Sequence, residues 1–582
     1  VRVDAEWCPF AASLRLETVR HSSLPIVISL LAALGLFLPG INWGLPSRAV
    51  DPFLFGDQPV WTGEKIRSLV PTDSAARGAD VDANPIARGA EPVQLNADDR
   101  QRAEIILRYR LYSYQPDEMI TFRSLAHIKD FRGDPRLYQY GGLWIYPVGA
   151  LLKIADVVGL VELRGDQAFY LNQPEQFGRF YVVARAYTMF WGLVATAAVF
   201  WFVRRLTGSL IIAAAGAICF AAMPVVVNMA HEAKPHLPGL ALTLLAVIAA
   251  AKYVDGGRTK WSILAGVFCG AAFGMVLSGL LAFAILPMMA FLRPGPARER
   301  WMKLIAAGGV GVMTYVVSNP FVAINAIFNR GVLRSNLGNS TDMYRISFGG
   351  VGNAFRLIAE GASPVVLIGG VIGLAVLIAA RRRRRRDGCI EECPGRGDVG
   401  WLLLAPAGLV LLQFILLADG KPAEYARFAL LPNTFLVVAA FAGIALLHGS
   451  RPRATLAIGL TMLTVGFGAP YVLAFVRDSR TVTSRLVAAE RIRELSRTTG
   501  VSDIILTAEP APYSAPPVDL FRNRLILAPK DALLASEAAK SISILVTIDP
   551  ALAPAPVSWA DVRFVIENVH PRSTGATTVS SH

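Results

Sequence analysis

Two adjacent carboxylates, Asp117 and Glu118, follow a proline in the stretch SYQPDEMITFRSLAHIKDF (113–131). Acids at the start of a helix do one of two things. They cap it, stabilising its N-terminus by about 0.3–1 kcal/mol, or they take protons from a bound reactant. Taken alone, Asp117 reads as a cap. Other residues with catalytic chemistry recur in short polar runs between apolar segments. NMAHEAKPHLP (228–238) carries His231, Glu232, Lys234 and His236. ADGKPAEYARF (418–428) carries Lys421, Glu424, Tyr425 and Arg427, and RGDPRLYQYGG (132–142) carries Arg136, Tyr138 and Tyr140. Carboxylates and cations thus gather close to the ends of the apolar segments.

Each of these residues also has an ordinary reading. His231, Glu232 and Lys234 read equally as loop residues that keep a hairpin wet. Arg427 reads as a headgroup contact reached by snorkelling, and the tyrosines read as an interfacial aromatic belt.

The elements that must position these residues are membrane spans. The chain has 582 residues, 54% of them hydrophobic and 17% charged, with mean hydropathy +0.46. A soluble domain of this length rarely combines those values. Apolar segments at 26–44, 182–203, 210–229, 237–254, 261–277, 280–292, 303–320, 363–380, 401–418, 429–447 and 455–476 predict about eleven transmembrane helices. Segment 280–292 is the shortest. A further apolar stretch, 142–161, holds Pro147, Lys153 and Asp156, which are costly in lipid. The fold class is therefore a polytopic α-helical membrane protein.

Charge arbitrates the topology. With 142–161 lying along the surface and the N-terminus cytoplasmic, the inner loops are 204–208, 255–260, 293–303, 381–388 and 450–453, and every one is basic. The net charge of +14 then reads as topology and contact with anionic lipid, including the six-arginine run from Arg381, and no nucleic-acid partner is expected. If 142–161 crossed the membrane, that run would face outside. The segment is therefore predicted to be an interfacial amphipathic helix.

The resulting domains are a cytoplasmic N-terminus (1–25), a transmembrane domain (26–476) whose first external loop is 45–181, and an extracytoplasmic region (477–582). The last reads as a small α/β domain: AAERIRELSRTTG as a helix closed by a glycine cap, and DIILTAE, NRLILAP and SISILVTID as strands. Residues 71–100 read as a polar mobile loop and the tail RSTGATTVSSH as disordered. Cys8, Cys219, Cys269, Cys389 and Cys393 fall in apolar spans or on the cytoplasmic side, so no disulfide framework is expected. The first apolar run has no evident cleavage site after it and reads as a retained anchor in an inner or plasma membrane.

The order Q-P-D-E, then L-W-I-Y-P, then V-A-R-A-Y-T-M-F-W-G ending at Gly192, then E-Y-A-R-F-A-L-L-P (424–432) resembles the GT-C membrane glycosyltransferases. These include the protein O-mannosyltransferase and lipid A aminoarabinose transferase group. The resemblance covers roughly residues 25–515 and implies a GT-C fold with surface helices in the first external loop and a soluble external domain. It also implies a reaction: transfer of a sugar from a polyprenyl-phosphate carrier to an acceptor lipid, glycan or protein on the outer side. The family's base falls on Asp117, and Glu118 is expected to have a supporting or capping role. The family's second acid falls on Glu232, where this chain has Glu within H-E-A-K-P-H and the family often has Asp.

Arg427, Lys234 and Arg136 are then candidates for the donor phosphate. His231, His236, Tyr138, Tyr140, Tyr425 and Lys421 are candidates for substrate contact. No cofactor is required by the sequence, although the outer carboxylates are compatible with a divalent metal shared with phosphate oxygens. The Gly-rich spans 268–283 and 306–313 allow close helix packing or a groove for lipid.

The alternatives are a flippase or transporter of a lipid-linked sugar, a non-enzymatic scaffold, and a polysaccharide polymerase or ligase. A transporter would place ionisable groups near mid-membrane, whereas here they cluster at span ends. A polymerase or ligase usually relies on a large later external loop, whereas here the first is largest. No Walker loop, dinucleotide fingerprint, zinc spacing or serine-nucleophile elbow occurs.

Overall fold

The computed structural model describes residues 23–70, 93–341, 344, 349–386, 398–480, 483–506, 515–528, 543–548, 560, 562 and 564–569. Several sequence expectations fall outside these residues: most of the N-terminal segment, most of the 71–100 loop, Cys8, Cys389 and Cys393, the end of the 381–388 loop, and the C-terminal tail. Cys219 and Cys269 are buried free thiols.

Every predicted span falls on a helix, but the helices differ in reach. Among the described residues, seven are long and apolar enough to cross a membrane: Pro174–Thr207, His236–Gly256, Ala297–Ser318, Pro364–Arg383, Val399–Ala418, Ala423–Ala445 and Ser450–Asp478. An eighth is the pair Leu210–Ala222 and Pro224–Ala230, bent by 66°. Pro224 explains the bend, since its ring fixes φ and it has no N–H to carry the helix ladder through. The expected count of eleven is thus not confirmed. The remaining three segments form shorter apolar helices, Leu24–Phe37, Thr259–Met275 and Leu277–Leu292. The last two are separated by the extended residue Val276 (φ −153°, ψ 142°).

Glycines allow close contact between helices of the bundle. A Cβ on Gly270 would lie 2.1 Å from the carbonyl oxygen of Gly311, and one on Gly266 would lie 2.1 Å from that of Ala307. The helices Thr259–Met275 and Ala297–Ser318 therefore touch backbone to backbone, as small residues permit in membranes.

The segment expected to lie along the surface is the helix Gly142–Val157, with Pro147 inside it. It is not among the candidate spans. Its C-terminal end exposes Ile154 and Val157 beside the ion pair Lys153–Asp156, an amphipathic end suited to a membrane interface. The preceding surface helix is Glu118–Asp130. An additional helix, Asp99–Leu111, begins where Asp98 accepts a hydrogen bond from the Gln101 N–H at 2.8 Å.

Past the last span, the helix Ser484–Thr499 ends at Gly500 with φ 70°, the left-handed cap expected of a glycine. Among the described residues, a five-stranded sheet packs beside it. Its strands are β1 (Val93–Gln94), β2 (Asp503–Leu506), β3 (Arg524–Leu527), β4 (Ser543–Ile548) and β5 (Phe564–Val569), in the order β1-β3-β2-β4-β5. β2 pairs in parallel with β3 and β4, while β1 and β5 pair antiparallel at the two edges. Edge strand β1 comes from the first long loop, so the sheet is not made from the C-terminal region alone. Asn96 fixes this junction: its amide donates to Leu520 O at 2.9 Å and Asn523 O at 2.8 Å, and its oxygen accepts from Leu525 N at 2.9 Å.

Candidate functional site

The site forms where the turn at Pro116, the short loop His231–Pro235 and the start of the Ala423–Ala445 helix meet. Glu118 and Met119 donate backbone N–H bonds to Gln115 O and Pro116 O, which tightens the turn just ahead of the Glu118–Asp130 helix. Asp117 occupies the N-cap position but, among the described residues, its side chain makes no capping bond. The capping alternative therefore does not hold. Instead Asp117 Oδ2 lies 3.0 Å from Lys234 Nζ and 3.4 Å from Arg427 Nη2.

Lys234 is fully buried, and its ammonium also lies 3.0 Å from Glu232 Oε2. Asp117 keeps 34% of its side chain exposed, while Arg427 keeps 8%. One accessible carboxylate thus faces two buried cations. Burial alone would raise the pKa of Asp117, but Lys234 and Arg427 outweigh it and hold the group at about 2. Burial disfavours the Lys234 ammonium, and Arg427 adds to that, yet Asp117 and Glu232 hold its pKa above the usual lysine value. Glu232 is shifted upward, chiefly by burial, with Lys234 acting in the other direction.

Glu118 points away from Asp117 into the protein. Its carboxylate accepts from Arg185 Nε at 2.8 Å and Nη2 at 2.6 Å, from Ser113 Oγ at 2.5 Å, and from the Ala233 N–H at 2.6 Å. Both members of the Glu118–Arg185 pair are fully buried. Arg185 Nη1 also donates to Ile41 O and Trp43 O, each at 2.8 Å. Glu118 therefore ties the Pro116 turn to the loop that carries Lys234.

Arg185, Gln115 and Asn228 were not singled out from the sequence as site residues. Gln115 Nε2 donates to Glu232 Oε1 at 3.3 Å, and Asn228 Nδ2 donates to the same oxygen at 3.0 Å. The available signal was position. Gln115 begins Q-P-D-E, and Arg185 is an arginine at the head of an apolar span, where a charge asks for a partner.

The remaining candidates divide. His236, 8% exposed, packs edge-on to Tyr140 and Phe428, with centroids 6.1 and 5.1 Å away. Burial pushes the Tyr140 hydroxyl up to about 12, with Lys234, Asp117 and Arg427 among the charges it senses. Tyr425 lies under the Arg427 guanidinium, its ring centroid 5.0 Å away, and Lys421 Nζ lies 5.3 Å from the same centroid. Glu424 pairs with Arg427 at 3.6 Å.

Three residues sit elsewhere. His231 is stacked on Phe475 with centroids 4.1 Å apart, and both ring nitrogens lie 2.8 Å from backbone carbonyls, of Val227 and Pro39. Burial pushes this imidazole down to about 4. Tyr138 donates to Asp134 Oδ2 at 2.9 Å and accepts from Asn325 Nδ2 at 2.7 Å. Arg136 pairs with the same Asp134 at 3.3 Å and lies over Phe131. Among the described contacts, none brings these three to Asp117.

A cleft is lined by His236, Gly239, Thr243, Ser278, Val410 and Arg427. It runs down between the helices His236–Gly256, Val399–Ala418 and Ala423–Ala445.

Residues 177–324 match the family model described as dolichyl-phosphate-mannose-protein mannosyltransferase. The matched segment includes Arg185, Glu232, Lys234 and His236. The resemblance to GT-C membrane glycosyltransferases drawn from the motif order is borne out by this match. No curated protein matches the sequence.

Solved structures that align with the chain include three. The archaeal oligosaccharyltransferase AglB from Archaeoglobus fulgidus, in complex with an inhibitory peptide and a dolichol-phosphate, aligns with TM-score 0.44 and 12% identity over 83% of this chain and 62% of that one. ArnT from Cupriavidus metallidurans, bound to undecaprenyl phosphate, aligns with TM-score 0.42 and 12% identity over 80% of this chain and 96% of that one. The arabinofuranosyltransferase AftD from Mycobacteria aligns with TM-score 0.37 and 12% identity over 80% and 35%. The chain thus spans 62% of the length of the oligosaccharyltransferase.

Proposed function

We propose that the protein is an integral-membrane glycosyltransferase that moves a sugar from a polyprenyl-phosphate carrier to an acceptor on the extracytoplasmic face, with Asp117 as the general base. One observation carries the reading. A partly exposed carboxylate lies 3.0 and 3.4 Å from two buried cations, and one of them, Arg427, lines a cleft between spans. The matched family's description names a polyprenyl-type phosphate sugar, which suits such a cleft.

In this reaction an acceptor hydroxyl gives its proton to Asp117 while its oxygen attacks the anomeric carbon. The bond from that carbon to the phosphate oxygen breaks, and its electron pair stays on the phosphate. Arg427 and Lys234 take up the charge that appears there, Arg427 through a planar fork that matches two phosphate oxygens. The low pKa of Asp117 belongs to the site without donor. As a phosphate shares Lys234 and Arg427, their hold on Asp117 weakens and it becomes the stronger base that the acceptor requires. The acceptor is a lipid, a glycan or a protein hydroxyl.

The test is sugar transfer from radiolabelled polyprenyl-phosphate sugars by the purified protein in nanodiscs, with several sugars and with membrane extract as acceptor. Carrier-dependent transfer is expected, falling by about 10²–10⁴-fold in Asp117→Asn. Near-normal transfer by a folded Asp117→Asn protein overturns the base assignment. Absence of transfer from every carrier overturns the enzyme.

A further inference from the structure

The sequence left room for a divalent cation between the site's carboxylates, and the geometry does not fit one. The Lys234 ammonium stands in that place, 3.0 Å from Asp117 Oδ2 and 3.0 Å from Glu232 Oε2. Divalent ions need their oxygens at about 2.0–2.6 Å and several of them. The oxygens here are already committed. Asp117 Oδ2 also faces Arg427 Nη2 at 3.4 Å, and Glu232 Oε1 accepts from Gln115 and Asn228. Among the described residues, no group of three or more His, Cys, Asp or Glu side chains is placed to hold a metal.

Lys234 is held there from both sides. Its side chain is fully buried, the next loop residue but one, Glu232, is 1% exposed, and the Ala233 N–H between them is pinned by Glu118. A lysine ammonium is a compact point charge with three donors. Two carboxylates occupy part of that capacity, and Arg427, which shares Asp117 with Lys234, lines the adjoining cleft.

We propose that Lys234 is a built-in replacement for a divalent cation: its ammonium neutralises the donor phosphate, Glu232 serves to hold it, and removing it turns Asp117 and Glu232 into a divalent-cation site. The catalytic half of this statement rests on the glycosyltransferase reading above. The cation-site half does not, because it concerns only the charge between two carboxylates. Lys234→Met keeps the length of the side chain and deletes its charge. The two acids then face each other with Arg427 alone, and a small divalent ion offers the compensation they have lost.

The experiment measures Mn²⁺ binding by electron paramagnetic resonance on purified full-length protein in detergent, without any sugar donor. Transfer with and without EDTA is measured in parallel. Wild-type protein is expected to show no bound Mn²⁺ below about 1 mM, the weak limit for protein sites of such ions. Lys234→Met is expected to bind one Mn²⁺, and Lys234→Met with Glu232→Gln to bind none. Wild-type transfer should change less than about twofold with EDTA. Lys234→Met should lose about 100-fold, and Mn²⁺ should restore part of it.

Mn²⁺ held by wild-type protein and lost in Glu232→Gln overturns the proposal, whatever Lys234→Met does. So does a folded Lys234→Met protein that binds none. Failure of transfer alone, with the Mn²⁺ results as expected, overturns the glycosyltransferase reading and leaves the cation site standing.

Discussion

Glu118 and Arg185 carry full charges with no exposure to solvent. Such a pair persists because every partner is present: two arginine nitrogens, a serine hydroxyl and a backbone N–H on the carboxylate, and two carbonyls on the guanidinium. Removing one member leaves the other charged and unpaired, at a cost of about 3–5 kcal/mol. Glu118→Gln and Arg185→Met should therefore each lower the thermal midpoint in detergent, as read by tryptophan fluorescence. Arg185→Lys should fail to restore it, since one ammonium cannot reproduce both the bidentate contact and the two carbonyl bonds. A midpoint unchanged in Arg185→Lys would show that charge alone is needed. At this scale the sequence was half legible. Asp117, Glu232, Lys234 and Arg427 share one site because acids and bases at span ends have few other places to go. His231, Tyr138 and Arg136 have the same residue types in the same loops, yet they point into packing. Side-chain direction within a loop depends on what the loop rests against, and Phe475 and Asn325 lie far from these residues in sequence.

Elements position the site through two kinds of contact, apolar spans and one polar clasp. The spans were legible because a hydrocarbon core demands long apolar runs. Their lengths were less so: Val276 interrupts an apolar stretch, and nothing in its own residue type announces an extended break. There its backbone forms a bridge with Tyr140, so the break brings the Tyr140 segment against the bundle. The clasp is Asn96, which joins the first loop to the sheet with three hydrogen bonds. Strands β2 to β4 were readable as apolar runs. β1, two residues long, and β5, F-V-I-E-N-V, were not: two residues carry no periodicity, and an acid and an amide dilute the apolar signal of an edge strand. Asn96→Ala leaves a buried backbone N–H at Leu525 without its acceptor, which costs about 1–3 kcal/mol. Amide hydrogen exchange should then quicken at 93–96 and 523–527, while the spans keep their protection. Exchange unchanged at Leu525 would show that the sheet holds β1 by strand pairing alone.

Across the whole molecule, charge separates the two ends of the bundle. Asp117, Lys234 and Arg427 lie where the helices Pro174–Thr207, His236–Gly256 and Ala423–Ala445 have their N-termini. The opposite end carries Arg205 paired with Asp255 at 2.7 Å, and Arg293 donating to Val254 O at 2.8 Å. These arginines belong to the basic loops that the positive-inside rule assigns to the cytoplasm. The rule then predicts the acid–cation site on the extracytoplasmic side, the side on which the proposed acceptor is met. The arrangement is testable without knowing any substrate. In a background with Cys8, Cys389 and Cys393 changed to serine, Asp57→Cys sits at an exposed position in the first loop, and Glu299→Cys at an exposed position among the basic loops. A membrane-impermeant maleimide added to intact cells should label Asp57→Cys and spare Glu299→Cys until the membrane is opened. The reverse pattern would face the site to the cytoplasm, and the donor would have to be met on the leaflet where sugar nucleotides are available. Labelling of both in intact cells would mean that the chain between them crosses the membrane an even number of times, and the assignment of its spans would have to change.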